Sequence, residues 1–295
     1  MSNPPTGTSD DDDAQSVVEP IADPFVEIPD TDATSDLVLM EATEEGAVTV
    51  TLNRPAKKNA FDAELIGALR ETFETLRDQE AIRVVFVQGA GGTFSAGADL
   101  EWMRDAIDHT EEDNRDDAMQ MAIMLKHLFD IPALTVALVE GGGFGGGAGL
   151  VAACDMAVAV KSARFSFSEV KLGLIAATIS PYVVAAIGPR RARRLFASGE
   201  VFDADHAQAF GLVDEVVADA VALEAAKAKI AAGQRLCAPG AVAESKLLVG
   251  EVVGRDIDHS LMVHTAKRIA AQRVGDEGQA GVRAFLEGRK APWAE

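Results

Sequence analysis

The chain has 295 residues, 48% of them hydrophobic and 25% charged, with a formal net charge of -20. That length and apolar content suit one large buried core, or a core with an appendage, and exclude a wholly disordered chain. Ten of the acids lie in residues 1–36, which hold no Lys or Arg, and nowhere does a basic stripe point to nucleic acid.

Residues 1–36, rich in Asp, Pro, Ser and Thr, read as an acidic, disordered tail whose ordering entropy little apolar burial could offset; a partner-binding arm is the alternative. Its start lacks the cationic and apolar stretches of a signal sequence, and no window reaches the roughly 18 apolar residues of a membrane span. A cytoplasmic protein with no membrane contact is expected. Order is expected from Asp36. The runs Leu37–Thr43 and Ala47–Leu52 flank Glu44-Glu45-Gly46 as a β-hairpin. Asp62 then suits an N-cap before Leu65, Ile66, Leu69, Phe73 and Leu76, which recur at helical spacing. Arg83–Gln88 reads as a buried strand, Asp116 to Phe129 as a helix, and Ala133–Val139 and Met156–Val160 as further strands. From about Pro181 the pattern changes to short helices broken by Gly188-Pro189, Gly199, Gly211 and Pro239-Gly240, with one β-type interruption at Leu212–Val217.

Strands alternating with helices predict parallel β-α-β units with ligands at the strands' C-terminal ends. Two glycine-rich loops stand at such ends: GGTFSAGADLEWM from Gly91 to Met103, and VEGGGFGGGAGLVAACD from Val139 to Asp155. Two such loops can aim two backbone N–H groups at one developing negative charge, the requirement of an oxyanion hole. Gly141, Gly143 and Gly146 also satisfy G-x-G-x-x-G, but only Gly147–Asp155 is left for a helix, and no acid follows at the ribose-binding distance. A phosphate loop fails for want of Gly-Lys-Ser/Thr. Ser95 and Ser168 lack a nucleophile elbow with Asp and His in order. His109, His127, His206, His259 and His264 form no paired ligand set, Cys154 and Cys237 no CxxC motif, and no metal is assigned.

LNRPAKKNAF (Leu52–Phe61), TFSAGADLEWM (Thr93–Met103), the GGGFGGGAG loop with Ala153-Cys154-Asp155, FSFSEVKLGL (Phe165–Leu174) and AFLEGRKAPW (Ala284–Trp293) together resemble the enoyl-CoA hydratase/isomerase, or crotonase, superfamily. The resemblance spans residues 37–293 in the expected order. It implies a crotonase (ClpP-like) α/β fold, a spiral of β-β-α units over residues 37–200 followed by a helical trimerisation segment over 201–295. It also implies acyl-coenzyme A thioesters as substrates, a homotrimer or hexamer, and no cofactor beyond the coenzyme A of the substrate.

Carried onto matching positions, the resemblance makes the amides of Ala98 and Gly146 the oxyanion donors and Glu169 the general acid/base; tight turns and a helix-end acid are the plainer alternatives. Lys57 and Lys58 fall where coenzyme A phosphate or adenine is approached, though lysine is also the commonest solvated charge. Ala96, Asp99 and Leu100 belong to the same loop, with loop ordering the better role for Asp99. Trp102 and Met103 suit an acyl tunnel or a helix core. Phe285 suits either a neighbouring subunit's ligand or packing. Two departures stand out. Gly149 occupies the first acidic position of two-glutamate hydratases, and Glu101 stands where a lysine is common. The pattern is most similar to methylglutaconyl-CoA and isohexenylglutaconyl-CoA hydratases, which implies water addition to a branched or dicarboxylic 2-enoyl-CoA. A single-glutamate Δ3/Δ2-enoyl-CoA isomerase and a weakly catalytic CoA-ester scaffold are the alternatives.

Overall fold

The computed structural model describes residues 37–79 and 81–295; the acidic-tail reading of residues 1–36 lies outside them. The predicted hairpin is present as β1 (Val38–Ala42) and β2 (Ala47–Leu52), paired antiparallel from Val38↔Leu52 to Ala42↔Val48. Asp62 caps α1 (Ala63–Arg77) by accepting the Leu65 amide at 2.9 Å, which satisfies one of the donors a helix start leaves unpaired. β3 (Val84–Gly89) follows, then α2 (Leu100–Asp105) and α3 (Glu111–Phe129). α3 begins five residues before the predicted Asp116, because Thr110 and Asp113 form a capping box that stabilises a first turn with no apolar stripe.

β4 (Leu134–Val139), β5 (Gly142–Phe144) and α4 (Gly146–Ala153) are followed by β6 (Met156–Val160), β7 (Arg164–Ser166) and α5 (Ser180–Ser198). The short helices expected after Pro181 are here one element, bent where Gly188 adopts φ 78° ahead of Pro189 and ended by left-handed Gly199. β8 (Phe202–Asp203), α6 (Ala204–Phe210), β9 (Glu215–Val217) and α7 (Ala220–Gln234) precede α8 (Pro239–Val252), α9 (His259–Val274) and α10 (Asp276–Leu286).

A six-stranded sheet runs β1-β2-β3-β4-β6-β9, parallel from β2 onward, and a smaller one runs β5-β7-β8. The near-continuous apolar runs of β3, β4 and β6 are buried, as parallel strands covered on both faces must be. The chain passes repeatedly from the large sheet to the small one and then into a helix: β4, β5, α4, then β6, β7, α5. An isolated bridge from Ser95 to Gly143 gives β3 the same sequel on the way to α2. This is the crotonase spiral, repeated in space by segments with no repeat in sequence. Strands of two or three residues carry too little periodicity to announce the small sheet.

Residues beyond 200 complete both sheets through β8 and β9 before the terminal helices begin. Lys246 of α8 ties those helices to the core, donating to the carbonyls of Ile131 (2.6 Å) and Ala133 (2.8 Å) and pairing with Asp155 (2.6 Å). Among the described residues no helix is long and apolar enough to cross a membrane.

Candidate active site

Both glycine loops sit beyond the C-terminal ends of parallel strands, the first after β3 and the second after β4. They zip together: the Phe94 amide donates to Glu140 O (2.9 Å), Ser95 to Gly142 O (3.1 Å) and Phe144 back to Ser95 O (3.0 Å). Glycine is required where the backbones meet. A Cβ on Gly97, at φ 89°, would lie 2.8 Å from the Phe144 carbonyl, and one on Gly147 would lie 2.8 Å from Ser95 Cβ.

The ladder decides which amides stay available. Phe61 donates to Gly97 O (2.7 Å) and accepts from Asp99 N (2.8 Å), so the parallel bridge between Phe61 and Ala98 leaves the Ala98 N–H pointing the other way. Gly145 donates to Ser166 O (2.9 Å), and Gly146 is the first residue of α4, where an amide has no partner inside the helix. Ala98 and Gly146 both line one cavity of about 990 Å3, together with Glu169.

Glu169 follows β7 and opens a single 3-10 turn, Glu169–Leu172, closed by left-handed Gly173. Its carboxylate reaches the second loop: a Cβ on Gly145 would stand 3.2 Å from Oε1. Oε2 is buried with no hydrogen-bond partner among the described residues. Burial therefore pushes the Glu169 carboxyl above the ordinary glutamate range, only partly offset by a backbone hydrogen bond. Two amides without a partner among the described residues, and one carboxylate whose pKa burial raises, thus share a wall built from Phe61, Ile66, Trp102, Met121, Leu174 and Ile175. Such a site can hold a carbonyl oxygen that gains negative charge while a proton moves at a nearby carbon.

A family model described as enoyl-CoA hydratase/isomerase matches residues 42–295. The chain belongs to this family. An enoyl-CoA hydratase structure from Shewanella pealeana is 36% identical with a TM-score of 0.84, covering 87% of this chain and 96% of that one. A Legionella pneumophila crotonase is 44% identical with a TM-score of 0.82, covering 88% and 99%. The enoyl-CoA hydratase ACTT6 of Alternaria alternata is 32% identical over 253 residues, 84% of this chain and 80% of that protein. The protein is accordingly an enoyl-CoA hydratase-family enzyme with the crotonase fold.

Of the residues singled out in the sequence, the fold brings Ala98, Gly146, Glu169, Leu100, Trp102 and Met103 to the cavity. Ala96, Lys57, Lys58, Asp99 and Phe285 do not line it. Ala96 holds the loop by donating to Lys58 O (2.9 Å). Asp99 is buried, caps α2 through the Glu101 amide (2.8 Å) and pairs with Arg54 (3.2 Å), so it orders the loop. Lys57 pairs with Glu101 at 2.9 Å on the surface, while Lys58 is exposed in a left-handed conformation. Phe285, on α10, is 84% exposed.

Two organising residues escaped the sequence reading. Asn59, fully buried at φ 54°, accepts the Arg54 amide (2.8 Å) and donates to the carbonyls of Ala90 (2.9 Å) and Thr93 (2.6 Å). Its own carbonyl accepts the Ser95 hydroxyl (2.8 Å), which also takes the Gly97 amide (3.2 Å). Arg54 bridges Asp62 (2.7 Å) and Asp99. This stretch pins the first loop to the start of α1. Its only sequence signal is the LNRPAKKNAF motif itself, which says nothing of what Asn59 touches.

Proposed function

We propose that the protein adds water across the double bond of a 2-enoyl-CoA thioester, with Glu169 as the one general acid/base. The amides of Ala98 and Gly146 hold the thioester oxygen. Glu169 takes a proton from water, the hydroxide oxygen bonds to C3, and the double-bond electrons pass to the thioester oxygen as an enolate. Collapse of the enolate takes that proton back at C2, so Glu169 is restored and the net change is one water added. Fixed amide donors of this kind are each worth about 3 kcal/mol in comparable sites. The observation that carries the reading is the partnerless Glu169 Oε2 in the cavity that the two amides also line.

The acyl group on this reading is branched or dicarboxylic. The apolar wall and the cavity's size suit a branched chain. Arg104, which lines the same cavity and forms no ion pair among the described residues, can meet a distal carboxylate. A panel of crotonyl-, 3-methylcrotonyl-, methylglutaconyl- and 3-enoyl-CoA, followed by loss of conjugated absorbance and product mass, tests both levels. Hydration of the branched or dicarboxylic esters ahead of crotonyl-CoA supports the reading. Conversion of 3-enoyl-CoA without water uptake moves it to an isomerase, for which a lone carboxylate suffices, and turnover of none moves it to a scaffold.

We also propose a homotrimer or hexamer built through the terminal helices. Met262 (53% exposed), Ile269 (52%) and Leu286 (76%) leave apolar surface on α9 and α10 that a subunit contact would cover. Light scattering at a mass near that of one chain would contradict it.

A further inference from the structure

Gly149 and Ile179 lie thirty residues apart in the chain and in contact in the fold. A Cβ built on Gly149 would stand 2.1 Å from Ile179 Cγ2 and 2.5 Å from Ile179 Cβ. Rotating the isoleucine side chain moves Cγ2 but not Cβ, so relief would need backbone displacement. Ile179 is 2% exposed at the N-cap of α5, and it lines the same cavity as Glu169. Gly149 is fully inside α4, three residues after Gly146, and therefore on the same helix face as the amide-bearing start of that helix. The volume a side chain at 149 would take toward the cavity wall is filled with hydrocarbon from the other segment.

We infer that Ile179 is a specificity-determining residue: by occupying the side-chain volume of position 149, it bars a second acid from the site and commits the reaction to Glu169 alone. The inference rests on the proposed hydration for its chemical consequence, and on packing alone for its steric one. Positions 149 and 179 form one unit, in which a side chain enters at 149 only if the one at 179 gives way. Because the clash involves Cβ, alanine at 179 does not open the space; glycine does, and glycine is well tolerated at an N-cap.

The test uses the full chain in two arms. In the first, thermal unfolding of wild type, G149A, I179G and G149A/I179G is compared. G149A should lower Tm by about 5 °C or more, as overpacking does, whereas the same change in the I179G background should be neutral or stabilising, since alanine favours a helix over glycine. In the second, G149E/I179G should hydrate crotonyl-CoA at least tenfold faster than I179G, and its pH–rate profile should gain a second ionisation. G149A as stable as wild type overturns the steric claim. A folded G149E/I179G with the rate and single ionisation of I179G overturns the catalytic one. If wild type hydrates no ester, the proposed function fails while the melting arm still decides the steric claim; if wild type is active and the melting cycle is additive, only this inference fails.

Discussion

The two halves of the cavity are built in opposite ways. The oxyanion side is a closed lattice: two glycine loops zipped backbone to backbone, with buried Asn59 and the Arg54–Asp99 pair locking the first of them. The facing, acyl side sets an outer apolar rim on buried Phe61, Ile66 and Met121, and that rim is largely open to solvent, Leu100 at 77%, Ile107 at 78% and Ile175 at 81%. On the proposed reading, rigid backbone geometry serves the step every thioester shares, the charging of one oxygen, and must be preorganised to act. Loosely held hydrocarbon serves what differs between substrates, and it can change without disturbing the lattice.

The sharpest way to break that contrast is to disturb the lattice itself, at a residue that only aims a proposed donor. Gly97→Ala puts a Cβ at 2.8 Å from the Phe144 carbonyl and forces a left-handed alanine, so the Ala98 amide should lose its aim. We expect kcat to fall roughly 100- to 1000-fold while affinity for coenzyme A itself stays within a few-fold. Asn59→Ala comes next. It strands the Arg54 amide and the Ala90 and Thr93 carbonyls, at a cost of about 3 kcal/mol. Denaturant unfolding should show it, and activity should fall in the fraction that stays folded.

Changes on the acyl side should act on selectivity instead. Ile175→Ala removes exposed hydrocarbon and should leave Tm within about 2 °C, since substitutions away from packed features rarely cost more than ~0.5 kcal/mol. Its expected effect is a shift of kcat/KM among acyl groups of different bulk, with crotonyl-CoA changed least. The smallest effect belongs to the surface pair: Glu101→Gln frees Lys57 and should alter KM for CoA esters two- to threefold, an effect that fades as salt is raised. A large, salt-independent change would mean that Lys57 is not a solvated surface charge.

The contrast also explains what the sequence could show. The hairpin, α1 with its Asp62 cap, β3, β4 and β6 were legible because long apolar runs and a capping residue act locally. So were the two loops, where repeated glycine reports close backbone approach. The small sheet was not, because its strands are two or three residues long and exist only by pairing across the chain. Asn59 looks like any turn residue until its partners thirty residues away are seen. The pairing of Gly149 with Ile179 is equally invisible to spacing: a missing side chain leaves no trace of what fills its volume.

Glu169 stands at the join of the two halves, and its burial sets its pH behaviour. Because its carboxyl lies above the usual range, the basic form is lost as pH falls through that raised value, so the acid limb of kcat/KM should sit higher than for a solvated glutamate. The same burial makes ionised Glu169 a cost to the fold. Its penalty is absent below the unfolded-state pKa and grows as pH rises through the folded one, so Glu169→Gln should gain Tm relative to wild type toward neutral pH. Hydration kinetics of Glu169→Gln, with ester binding measured in parallel, test the central claim most directly. We predict a loss of roughly 100- to 10,000-fold in kcat with binding within a few-fold of wild type; near-normal hydration by the variant would contradict the assignment of Glu169 as the acid/base.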